Sequence, residues 1–272
     1  MKRLLLALAL VAACGPGRTT FQRYPGAPAA FDKAGSEAKA VEIAEKVFAA
    51  AGGPGNWDKA KQIRWRQTVT SDGKQVVDVE HIWDRWNGRH LGRLHRTDGT
   101  DLVVGYELYG DFSMGYVQQP GEKEKKQNLD EGGRATGLKI AKEAYNEHTA
   151  VMAMQFLMLE PGAKLAYIGP AKDESGNISE NLEELKVSFD DPLRKDLEFH
   201  PVVDKTSNTI VRIEILKGAQ KIAYSLKDWV TINGLKFASQ RGNLGYAGES
   251  TVIKDISVGN PDDDEFIAPI TH

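Results

Sequence analysis

Apolar and polar residues alternate along much of this chain with the two-residue period of a half-buried β-strand. Ile63, Trp65 and Val69 alternate with polar neighbours, and the same period returns over residues 211–215 and 251–258. The pattern predicts antiparallel strands that follow one another in a meander. Turn dipeptides separate these runs, at Asp72-Gly73, Asn87-Gly88, Asp98-Gly99 and Asn233-Gly234.

Two segments follow a helical period instead. The first covers residues 36–51 and ends at Gly52-Gly53. The second, over residues 136–159, is amphipathic at first and then apolar on every side over 150–159 except at Gln155. A helix that is apolar all round must be buried or cover an apolar surface. We therefore predict a mainly β fold with helices lying on the sheet, of the α+β class.

Two stretches lack a regular apolar pattern. Residues 121–133 are mostly Lys, Glu, Gln, Asn, Asp and Gly, a composition that predicts a mobile loop. Residues 172–184 form a second polar insertion between predicted elements. Neither stretch is expected to contribute to a core.

The N-terminus has the pattern of an export signal. Lys2 and Arg3 precede an apolar run over residues 4–13, and Cys14 follows two small residues. The run is about half of the ~20 residues that a membrane-spanning helix needs. The sequence Val-Ala-Ala-Cys resembles the lipobox of bacterial lipoproteins, in which the cysteine is acylated and becomes the first residue after cleavage. The alternative is an ordinary secretory signal with a chance cysteine.

Cys14 is the only cysteine in the chain, so no internal disulfide can form, and lipidation explains an unpaired cysteine in an exported protein. We predict a cleaved signal peptide (1–13), a lipidated Gly/Pro/Ala-rich tether (14–35) and a single domain (36–272). Gly15 follows the cysteine, where lipoproteins kept in the inner membrane often carry Asp, and this resemblance implies an outer-membrane anchor. Cleavage removes Lys2 and Arg3 and no acid, which changes the charge from 35 − 38 = −3 to 33 − 38 = −5. This acidity gives no reason to expect a nucleic-acid partner.

The C-terminal half resembles the LolA/LolB-like superfamily of periplasmic lipoprotein carriers. The resemblance lies in residues 224–237 (YSLKDWVTINGLKF), 249–258 and 264–269 (DEFIAP), with paired strands over 202–215. Residues 51–57 are similar to the opening of exported relatives. The chain departs from the family at Ala238, where Pro is frequent, and in the additional segment 121–133.

This resemblance implies a strongly curved, incomplete antiparallel barrel covered by helices, with acyl chains on its concave face. Methionine adapts its shape readily, so lipid or lipoprotein acyl chains are the predicted partners of the second helix. The alternative is that these side chains simply fill a core. The candidate ligand-contacting residues are Met152, Met154, Phe156 and Met158 on the helix and Trp65, Trp83 and Tyr106 on the strands.

No motif for catalysis is evident. No pair of histidines has a spacing that fixes a metal, Ser113 lacks a nucleophile motif, and no cofactor is expected. The preferred function is a non-catalytic, membrane-anchored protein that binds a hydrophobic ligand. The alternative is a structural or interaction subunit of an envelope assembly, with a filled core and a protein partner; a hydrolase ranks third.

Overall fold

The structure is a computed structural model that describes residues 31–119, 125–267 and 269. Cys14, the predicted signal peptide and all but the last five residues of the predicted tether lie outside the described residues. None of the helices in the described part combines the length and the hydropathy needed to cross a membrane.

Three α-helices and a short 3₁₀ helix accompany a single antiparallel sheet in the described residues. The helices are α1 (Ala38–Ala50), α2 (Gly53–Lys59) and α3 (Glu131–Leu157), and the 3₁₀ helix covers Asp263–Phe266. The strands are β1 (Gln62–Ser71), β2 (Lys74–Asp84), β3 (Arg89–His95), β4 (Asp101–Glu107), β5 (Ser113–Gln118), β6 (Lys126–Asn128), β7 (Ala163–Lys172), β8 (Ile178–Phe189), β9 (Glu198–Asp204), β10 (Thr209–Lys217), β11 (Gln220–Ile232), β12 (Leu235–Asn243) and β13 (Glu249–Gly259).

The order of the strands shows two meanders that meet in the middle of the sheet. It runs β6-β5-β4-β3-β2-β1-β13-β12-β11-β10-β9-β8-β7, so the first and last strands are neighbours. The two edges, β6 and β7, are joined through α3. At 1.5 Å per residue, its 27 residues span roughly 40 Å, and it packs on β3, β4 and β5 as well as on β10 and β12. The predicted mainly β fold, an open antiparallel sheet covered by helices, is confirmed.

The tight turns follow the local sequence closely. Asp72 and Gly73 have φ of 48° and 76°, and Asn233 and Gly234 have 49° and 79°. Positive φ at both central residues defines the type I′ turn, whose twist matches that of the flanking strands. Gly52 has φ of 126°, and a side chain there would overlap the carbonyl oxygen of Gly234, so the end of α1 lies directly against the β11–β12 turn.

The helices bury their apolar faces on one side of the sheet. In α1 the buried positions Val41, Ala44, Val47 and Phe48 follow helical spacing, as predicted. On the sheet, Ile63, Trp65 and Val69 of β1 are all buried, and their polar neighbours face away from the core. The main core therefore lies between the helices and this side of the sheet.

One prediction about an irregular segment is wrong. The predicted loop 121–133 contains, in its described part, strand β6 and the start of α3, which Asp130 caps by accepting a hydrogen bond from the Gly133 amide at 2.7 Å. The polar insertion 172–184 lies in the β7–β8 hairpin, and none of its residues is buried, as expected. The segment before β1 forms α2, with Pro54 in its first turn and Trp57 fully buried.

Candidate functional site

All seven residues predicted to contact a ligand lie in one hydrophobic core cluster. Met152, Met154 and Phe156 in the second half of α3 and Met158, which caps its C-terminus, are completely buried. Trp65, Trp83 and Tyr106 are at most 1% exposed on the facing strands. The structure thus brings the seven together, but in a filled core. Their contact with a ligand stays a prediction.

Aromatic packing fixes this part of the core. The ring of Phe156 stacks on Trp57 with centroids 4.2 Å apart and also contacts Phe48 and Phe237. Trp83 packs edge-on against Trp57 at 5.9 Å. A close-packed interior of this kind leaves little room for a mobile chain.

An open groove lies along the other half of α3. It separates the helix from strands β10 and β11 and from the loop 190–197, with a cavity volume of about 600 Å³. A second cavity of about 320 Å³ near Tyr109 shares Lys142, Asn146 and Leu193 with the first, so the two are adjacent. We call this space the α3 groove. Its main lining comprises Ala135, Leu138, Lys139, Lys142, Glu143, Asn146, Glu147, Leu193, Asp196, Leu197, Ile215, Lys217, Gln220 and Ile222.

The lining combines an apolar surface with a balanced set of charges. Six of its fourteen side chains are apolar, three are lysines, three are acids and two are amides. Lys217 pairs with Glu143 at 3.1 Å across the groove. Lysine also contributes an apolar stem beneath its ammonium group. The groove therefore suits an apolar ligand and has no net charge of its own.

Hydrogen bonds to Asp191 and from helix α3 fix the loop 190–197 beside the groove. The Asp191 carboxylate accepts hydrogen bonds from the amides of Leu193, at 2.8 Å, and Arg194, at 3.1 Å. Asn146 of α3 donates to the Leu193 carbonyl at 2.7 Å. Burial raises the pKa of Tyr145, beneath this junction, to about 12. Helix and loop are thereby fixed to one another at the point where the two cavities meet.

A chain of three histidines lies beneath the middle of α3. The Nδ1 atom of His81 is 3.0 Å from Nε2 of His90, and its Nε2 atom is 2.9 Å from Nδ1 of His148. Trp65 stacks on His81 with centroids 4.5 Å apart. Burial lowers the pKa of His81 to about 3 and lowers those of His90 and His148 as well. All three are therefore neutral at pH 7.

The groove residues are the ones that the sequence did not reveal. Leu138 comes from α3, Leu193 and Leu197 from the loop before β9, and Ile222 from β11. The available signal was the amphipathic character of the first half of the helix, which marks one face for contact with something apolar. The groove residues on the strands and in the loop follow no local sequence pattern that would have predicted a groove.

Comparisons with known proteins concern the fold. No protein-family profile matches the chain, and no curated protein matches it. A LolA superfamily protein from Nitrosomonas europaea has a similar structure, with a TM-score of 0.50 and 12% identity over 84% of this chain and 97% of that one. A putative outer membrane lipoprotein-sorting protein domain from Vibrio parahaemolyticus aligns over 83% and 95% with 12% identity and a TM-score of 0.45. Lipoprotein LppX from Mycobacterium tuberculosis aligns over 80% and 96% with 9% identity and a TM-score of 0.26. The first of these similarities shows that the fold is LolA-like.

Proposed function

We propose that this protein is a lipoprotein of the bacterial envelope that binds a hydrophobic ligand, a lipid or a lipoprotein acyl chain, in the α3 groove. The observation that carries the proposal is the groove itself. Its volume of about 600 Å³ falls within the roughly 300–1,000 Å³ of small-molecule sites. The role is binding without catalysis, because the groove presents apolar and balanced charged side chains and no nucleophile paired with a base.

We place the ligand in the α3 groove and not against the second half of α3, where the sequence analysis expected it. Leu138, Leu197 and Ile222 offer apolar surface on three different elements, so a chain would be enclosed from the helix, the loop and the sheet. An acyl chain gains about 0.8 kcal/mol for each methylene that leaves water. Contacts with three elements thus offer enough surface to retain such a ligand.

Anchoring through Cys14 belongs to the same proposal. The lipobox resemblance supports an anchor that directs the protein to the outer membrane, and a tethered protein can receive or hold a ligand near that membrane. A Cys14→Ser variant should move from the membrane fraction to the soluble fraction of the envelope. Continued membrane association of this variant would contradict the anchor.

The first test of the groove is native mass spectrometry of the full chain purified from its own envelope, followed by organic extraction. A lipid at one equivalent would support the proposal. The filled core around Phe156 favours the second candidate, an interaction subunit. An empty protein that retains one envelope partner would favour that candidate over ligand binding.

A matched pair of variants then locates the site. Ile222 lines the groove but is 38% exposed, so Ile222→Glu should leave the fold intact while placing a charge against the ligand. Ile178→Glu is the control, because Ile178 is 64% exposed on β8 and outside the groove lining. In a titration with a fluorescent long-chain fatty acid, Ile222→Glu should weaken binding by roughly tenfold or more and the control should not. Equal binding by both variants would exclude the groove.

A further inference from the structure

Three potential metal ligands meet on the outer face of the sheet. Glu184, His200 and Glu214 lie on the neighbouring strands β8, β9 and β10, and Glu214 is directly opposite His200 in the register. Their chain neighbours Leu185 and Phe199 are buried in the core. The three side chains therefore point away from the core and from the α3 groove.

The donor atoms lie close enough together for small side-chain shifts to bring them to one metal ion. Nδ1 of His200 is 3.0 Å from Oε1 of Glu184. One donor atom from each of Glu184, His200 and Glu214 lies within 4.8 Å of the other two. Ligand atoms that sit about 2.0–2.2 Å from an ion are about 3.3–3.6 Å apart in tetrahedral coordination. A small ion would fit among these donors with modest side-chain adjustment.

The charges and the environment also favour a cation. Glu198 adds a third carboxylate, 2.7 Å from Nε2 of His200, where it would orient the imidazole ring. Lys186 pairs with Glu198 and Lys221 with Glu214, so three carboxylates face two ammonium groups. The side chains of Glu184, His200 and Glu214 are 21%, 15% and 18% exposed. They are partly shielded, yet open to an ion from solvent.

We propose that Glu184, His200 and Glu214 bind a divalent first-row transition metal ion, with Glu198 as the positioning residue of the histidine. A mixed imidazole and carboxylate set suits ions such as Zn²⁺, and three protein ligands leave room for water in the remaining position. The rigid backbone of three paired strands holds the donors in place before the ion arrives. The site lies on the opposite face from the groove and does not depend on lipid binding.

The test is a calorimetric titration of the EDTA-treated full chain with ZnCl₂. We expect one equivalent of zinc to bind at pH 7. His200→Gln should raise the dissociation constant by more than about tenfold. Co²⁺ in place of Zn²⁺ should give visible absorption bands that the variant loses.

Two control variants separate this site from other zinc donors. His95→Gln removes a histidine that contacts one carboxylate, Asp101, at 2.8 Å, and should bind zinc like the unchanged chain. Cys14→Ser removes the only thiol and should also bind normally. Absence of binding at 100 μM ZnCl₂, or equal binding by His200→Gln, would show that His200 is held only by ion pairs with its glutamates and would overturn the proposal.

Discussion

Truncation of Phe156 tests whether the second half of α3 is a filled core. The side chain is completely buried, and its ring contacts Trp57, Phe48 and Phe237 at centroid distances of 4.2, 5.8 and 5.7 Å. Phe156→Ala removes the ring and leaves a cavity that its aromatic neighbours can close only in part. Core changes of this kind cost about 3–5 kcal/mol. For a chain of this size, that corresponds to a fall in Tm of roughly 10 °C.

The assay is urea unfolding of the full chain followed by far-ultraviolet circular dichroism. Tryptophan fluorescence is less suitable because Trp57 stacks directly on Phe156 and would respond to the local change. Phe112→Ala is the control, since Phe112 is 41% exposed and its loss should cost no more than about 0.5 kcal/mol. A loss below about 1 kcal/mol for Phe156→Ala, with an unchanged m-value, would refute close packing here. It would return Phe156 to the candidates for ligand contact.

Two further predictions concern buried polar groups. Because His81 has a folded-state pKa of about 3 and an ordinary value near 6.5 when unfolded, its contribution to stability is complete above pH 6.5. It falls by about 1.4 kcal/mol per pH unit as the pH drops toward 3. His81→Gln should flatten the decline in unfolding free energy between pH 6.5 and 5, and an unchanged slope would contradict this. Glu160→Gln should cost about 3–5 kcal/mol in urea unfolding, because it removes the buried carboxylate charge that pairs with the Arg85 guanidinium at 3.0 Å. Glu45→Gln breaks an exposed pair with Lys33 of the same 3.0 Å length and should change stability by less than about 1 kcal/mol. Similar losses for both glutamate variants would argue against burial as the cause.

The sequence predicted the elements whose conformation depends on near neighbours. Asp72-Gly73 and Asn233-Gly234 form the expected turns because their positive φ values are set within the dipeptide itself. Helix α1 and the strand pattern around Trp65 followed from periodicity alone. The LolA-like fold was predicted from motifs spread along the C-terminal half.

Prediction from local sequence failed where an element is stabilised by a specific contact that composition does not reveal. The polar residues of β6 form a strand because Gln127 pairs with Val117 of β5, which satisfies backbone groups without any apolar side chain. The Gly-rich start of α3 is helical because Asp130 caps it. In α2, Trp57 is buried against Phe156, about 100 positions later in the chain, and packing of this kind stabilises a helix that its composition disfavours.

The sequence by itself thus determined the strand periods, the turns, the two apolar helices and the single cysteine at position 14, because each is a property of neighbouring residues. Only the tertiary structure decided which apolar side chains are packed in the core and which line an open groove. Packing of aromatic rings closes the core at Phe156, while the spacing of α3 from β11 leaves the groove at Ile222. The same holds for His200 and its glutamates, which are scattered in sequence and become neighbours only through strand pairing. The register places Glu214 opposite His200 and Glu184 opposite Val202, two residues further along β9.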